Sequence, residues 1–171
     1  NTGGSLGPHL HFELRNTKAQ TPKNPLQLGY DVKDTQRPVI QELYQYNLNR
    51  SVQKNKIRLI RENDSTYSTE NLSWSGKNGV GIRMYDRQDL SYNKNGIYKV
   101  SVRLNGKKMI QYAMDRISFD DGKYISTLID YATYVNEGIR IQKLFRDLPY
   151  GFSFLSKEAA NGILNIEAGR S

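Results

Sequence analysis

The sequence predicts a mainly β protein, and three observations carry that expectation. Residues 97–104 alternate: Tyr98, Val100, Val102 and Leu104 fall on one face, and Lys99, Ser101 and Arg103 on the other. Such a pattern gives a strand with one buried and one wet side. Asn105-Gly106 follows directly, and both central residues of a type I′ hairpin turn need the positive φ that Asn and Gly tolerate. The chain also holds 12 tyrosines, which suit half-buried strands alongside Ile and Val.

Taken in order, residues 1–8 are a turn-rich loop, Thr2-Gly3-Gly4-Ser5-Leu6-Gly7-Pro8, entering a strand over residues 9–15. Residues 16–25, with Pro22 and Pro25, read as an exit loop, and residues 25–30 as a short closing turn. A polar stretch over 31–37 marks a boundary. The expected units are therefore residues 1–30 and residues 31–171. In the second unit, strands are expected at 39–46, 56–61, 81–86, 97–104, 107–114 and 152–155. One segment departs from the β pattern. Ile125, Leu128, Ile129, Ala132 and Val135 recur at helical spacing, with Gly138 at a C-cap position. That spacing predicts one inserted helix over residues 124–137.

Composition narrows the partners. The net charge is +8 and the isoelectric point is about 9.6, which suits an anionic or carboxylate-rich partner such as cell-wall peptide. The cations are dispersed, however, and no basic tract interleaved with aromatics appears, so nucleic acid is not an expected partner. With no cysteine, disulfide and thiol chemistry are excluded. No apolar run approaches a membrane span. The chain opens at Asn1 inside what reads as a motif, so it is expected to be a fragment or a processed product.

That motif is Gly7-Pro8-His9-Leu10-His11-Phe12-Glu13, and it holds the chain's 2 histidines. On a strand, residues i and i+2 share a face. His9 and His11 are expected to project together, with Leu10 and Phe12 buried behind them. Paired imidazoles suit a metal ligand with a catalytic neighbour, and Glu13, further along the same face, suits fixing an imidazole tautomer. A catalytic zinc needs about three protein ligands and one open position, so two histidines cannot complete one.

The longer string from Thr2 to Arg15 resembles the final motif of lysostaphin/LytM-type zinc endopeptidases. Its core, Gly-Pro-His-Leu-His-Phe-Glu, is highly specific. The resemblance implies that residues 1–30 are the last strands of a peptidase domain, that His11 is a zinc ligand, and that His9 is the catalytic partner beside the metal. It further implies cleavage of peptide cross-links in bacterial peptidoglycan, and a place in the periplasm or cell envelope, or secretion. Zinc would polarise the scissile carbonyl and acidify a bound water, while His9 handles the proton or steadies the intermediate. The family's other ligands come from an upstream His-x-x-x-Asp motif, and a further catalytic histidine also lies upstream. This chain has neither, so the missing N-terminal part of the domain is itself an expected partner, and the chain alone is expected to be inactive. Residues 31–171 look like an immunoglobulin-like β-sandwich with one inserted helix, of the kind that follows such peptidase domains. Its final strands are expected to be missing.

Two other readings stand beside the enzyme. One is a non-catalytic envelope scaffold or regulator carrying a degenerate LytM domain. The other is a calcium-stabilised adhesion module, because Asp86-Arg87-Gln88-Asp89 and Asn93-Lys94-Asn95-Gly96 are rich in oxygen donors. Their spacing does not match an EF-hand loop, and inter-strand loops use the same residues. Asp120-Asp121-Gly122 reads as a turn or helix cap, and Trp74 as core or strand edge.

Overall fold

The computed structural model describes residues 10, 12–49, 53–146, 150–155 and 161–167. Within them the protein is mainly β. The elements are β1 (Leu14–Arg15), β2 (Pro22–Lys23), β3 (Val39–Asn47), β4 (Gln53–Ile57), β5 (Ile60–Arg61), β6 (Tyr67–Ser68), β7 (Gly76–Tyr85), β8 (Lys99–Leu104), β9 (Lys107–Ala113), α1 (Phe119–Gly122), α2 (Tyr131–Glu137), β10 (Gln142–Lys143) and β11 (Leu164–Ile166). Short 3-10 turns add Pro25–Leu28 and Ile125–Leu128.

A five-stranded antiparallel sheet forms the centre. β3 lies between β4 and β7, and the other edge of β7 pairs with β10 and, further along, β11. The β8–β9 hairpin is a separate two-stranded layer. Its turn is the one the sequence predicts, with φ of 49° at Asn105 and 80° at Gly106. Between hairpin and sheet lies the larger core, where Ile110 and Tyr112 of β9 meet Ile82 of β7, together with Leu128, Leu144, Phe152 and Phe154. Alternation places Tyr44 and Tyr46 of β3 on the opposite sheet face, against Ile141 and Phe145. The sheet therefore has apolar cover on both sides.

The glycines of β7 are what allow this second core. The Phe145 ring lies against Gly79, and a Cβ at Gly81 would stand 2.6 Å from a Tyr46 ring carbon and 2.9 Å from Ile141 Cγ2. No side chain fits at either position without displacing a ring.

Several expected elements differ. The single helix over 124–137 is two pieces. Ile129 is extended (φ −118°, ψ 160°) and bridges Gln142, while the Asp130 carboxylate accepts the Thr133 N–H at 3.1 Å and caps α2. A β-branched residue that can join a sheet and an N-cap aspartate end one helix and start another. Ile125 and Val135, expected inward, are exposed, whereas Gly138 is the left-handed C-cap. The strand expected at 56–61 is split between β4 and β5. Residues 152–155 form a turn that touches the hairpin through a Leu155–Tyr112 bridge, although Phe152 and Phe154 are buried. Trp74 is half-buried in the loop before β7.

Candidate functional site

His9 and His11 lie outside the described residues. Their neighbours are placed, and they depart from expectation. Leu10 is 90% and Phe12 57% exposed, whereas both were expected to be buried behind the imidazoles; the Tyr30 ring packs on Phe12 with centroids 5.6 Å apart. Of the strand expected over 9–15, the described residues form Leu14–Arg15, paired with β2, while 10, 12 and 13 lie outside any strand. Glu13 gives its carboxylate to the Arg15 guanidinium, and that guanidinium also lies 4.8 Å over the Phe119 ring.

Residues 22–27 are fixed to the end of the hairpin. The Asn24 N–H donates to the Asp115 carbonyl at 2.9 Å, and the Ile117 N–H to the Pro22 carbonyl at 3.3 Å. The Tyr98 hydroxyl and the Gln27 amide both donate to the Asp115 carboxylate. In that order they hold its carboxyl below the ordinary range. The turn over Pro25–Leu28 starts on Asn24 and ends on a left-handed Gly29, as the closing turn was expected to do. Leu26, Leu28, Tyr30 and Val32 nevertheless remain exposed. With Leu10 and Phe12 they are six apolar side chains within residues 10–32 that stand largely exposed.

In the oxygen-rich loop the Asp86 and Asp89 carboxylates accept hydrogen bonds from the protein. Asp86 pairs by backbone with Asn95, and its Oδ1 accepts the Arg87 N–H. Both Asp89 carboxylate oxygens accept from the Thr35 hydroxyl at 3.1 Å. Among the described residues no three His, Asp or Glu side chains come together as a metal site. The Glu13 carboxylate is held by Arg15.

Asp121, expected in a turn or cap, is more than that. It is 2% exposed, and its carboxylate accepts from the Ser118 N–H, the Ser153 N–H and hydroxyl, and the Tyr150 hydroxyl. The bonds tie α1 to residues 150–153.

The grooves lined by described residues include two large open ones. One, of about 620 Å³, runs beside α2 and includes Lys54, Asp130 and Thr133. Its polar groups are mutually satisfied: Lys54 lies 3.3 Å from Asp130 and bonds to Thr133, and Tyr46 donates to Asp130 at 2.9 Å. Although burial opposes it, bonds from Thr133 and Tyr46 and the Lys54 charge hold the Asp130 carboxyl below its ordinary range. The other, of about 580 Å³, lies where residues 24–34 meet the hairpin base and residues 125–142, and both Arg87 and Arg140 line it. Among the described residues the buried Nε atoms of Arg87 and Arg146 have no acceptor. Sequence reasoning missed Arg87 and Arg140. It weighed the 86–89 run for its oxygens and passed over the cation within it.

No family model, curated protein or solved structure matches the chain. Among the described residues no helix is long and apolar enough to cross a membrane.

Proposed function

We propose that residues 1–30 are the closing piece of a lysostaphin/LytM-type zinc endopeptidase domain that cleaves peptide bonds of peptidoglycan, and that residues 31–171 are its immunoglobulin-like accessory sandwich. The observation that carries the proposal is the Gly7-Pro8-His9-Leu10-His11-Phe12-Glu13 motif. The exposure of Leu10, Phe12, Leu26, Leu28 and Tyr30 supports it, since the last strands of a domain carry an apolar face whose core lies in the rest of that domain. For the second unit, support comes from an antiparallel sheet and a hairpin facing one another across a shared core.

In this reading His11 is one zinc ligand and His9 the catalytic histidine beside it. The other ligands belong to polypeptide outside residues 1–171, and the protein works in the periplasm or cell envelope, or is secreted. The test is digestion of purified peptidoglycan by the polypeptide that includes the segment preceding Asn1. Release of new amino groups, abolished by a zinc chelator and restored by zinc, is expected. An absence of release, with an upstream His-x-x-x-Asp replaced by other residues, would instead mark the degenerate scaffold.

A further inference from the structure

We propose that the groove lined by Arg87 and Arg140 is a binding site for a small amphiphile with one free carboxylate, of the class of a short peptide's C-terminal end. The proposal does not rest on the peptidase reading.

The argument starts with two cations. Among the described residues neither arginine forms an ion pair. Arg87 lies 5.3 Å over the Tyr85 ring and Arg140 5.3 Å over the Tyr134 ring, contacts that orient a guanidinium without using its N–H donors. Among the described residues Arg87 Nε is buried with no acceptor, so a ligand in the groove would meet the terminal N–H groups of the guanidinium. Guanidinium offers a planar fork of donors that matches a carboxylate.

The walls define the rest of the ligand. Leu26, Ile97, Met114 and Leu128 supply apolar surface, and Asn95 and Gln142 supply amides. A volume of about 580 Å³ is within the usual range for small-molecule sites. Asp34 and Asp86 also line the groove. They would repel a phosphate dianion more strongly than a single carboxylate, and they leave the mono-anion favoured. An acyl dipeptide meets all three demands: one carboxylate for the arginines, peptide groups for the amides, and an apolar side chain for the floor.

The probe is N-acetyl-leucyl-alanine, titrated calorimetrically into residues 1–171 beside its C-terminal amide and beside phenyl phosphate. We expect saturable binding of the acid at one site, with the amide weaker by roughly tenfold or more, as loss of a charge-assisted bidentate contact implies. Arg87→Gln should weaken the acid by a similar factor. Arg140→Gln, at an exposed position, should do so with an unchanged melting temperature, which keeps the test valid if Arg87→Gln fails to fold. Equal affinity for acid and amide, tighter binding of phenyl phosphate, full acid affinity in Arg140→Gln, or no saturable binding of the acid would each overturn the proposal.

Discussion

The Phe12 ring meets the Tyr30 ring edge-on, with centroids 5.6 Å apart and planes at 77°, yet both side chains stay about half exposed. An aromatic pair of this geometry adds about 0.5–1.5 kcal/mol beyond its area, and here little area is buried. Phe12→Ala should therefore cost residues 1–171 at most about 1 kcal/mol in urea unfolding. In a polypeptide that covers this face with the remainder of a peptidase core, the same change should cost about 3–5 kcal/mol. An equally large loss in residues 1–171 would show that the face is already covered.

Gly79 and Gly96 make a contrasting pair. The Phe145 ring occupies the space where a Gly79 side chain would stand, whereas nothing lies within 4 Å of a Cβ at Gly96. Gly79→Ala should destabilise by about 1–3 kcal/mol or more through overpacking, and Gly96→Ala should stay within about 0.5 kcal/mol of the parent. Thermal melts of the two variants decide this, and equal melting temperatures would contradict the packing described for β7.

Glu42 links stability to pH. Hydrogen bonds from Lys56, Tyr44 and Arg83 hold its carboxyl down to about 2 from an ordinary 4.5. A depressed carboxyl stabilises the folded state at pH values above its unfolded pKa. That stability is lost as pH falls from about 4.5 toward about 2. Lys56 is 60% exposed, so solvent screening limits the contribution to about 1–2 kcal/mol. Glu42→Gln should remove this much at pH 7 and flatten the acid limb of the stability curve. A parallel acid limb in the variant would show that the carboxylate does not supply it.

Asp121 is buried under four donor groups from Ser118, Tyr150 and Ser153. Asp121→Ala leaves those donors without an acceptor, and the expected loss is about 2–4 kcal/mol. Chemical denaturation measures it. A loss below about 0.5 kcal/mol would mean that water replaces the carboxylate and that the contact between α1 and residues 150–153 is not closed.

Local chemistry was legible in the sequence, and long-range packing was not. The β8–β9 hairpin could be read because alternation and Asn105-Gly106 are both local signals. β7 begins at Gly76, well before the residues 81–86 expected, because residues 76–80 carry no local alternation and Gly79 is accounted for only by the distant Phe145 ring lying on it. The broken helix has the same cause: Ile129 joins Gln142, and Asp130 answers to Tyr46 and Lys54, all distant in sequence. At the candidate site, the His9/His11 expectation rests on flanking residues alone, and both histidines lie outside the described residues. The arginine groove exists only once residues 24–34 meet 125–142, so no local pattern announces it.

The most direct test of the peptidase reading is zinc content set beside turnover in the polypeptide that includes the segment preceding Asn1. About one zinc per chain is expected, at a three-ligand site. His11→Ala should lose both the metal and peptidoglycan hydrolysis, while His9→Ala should keep the metal and lose hydrolysis. Full hydrolysis by His11→Ala would contradict the account.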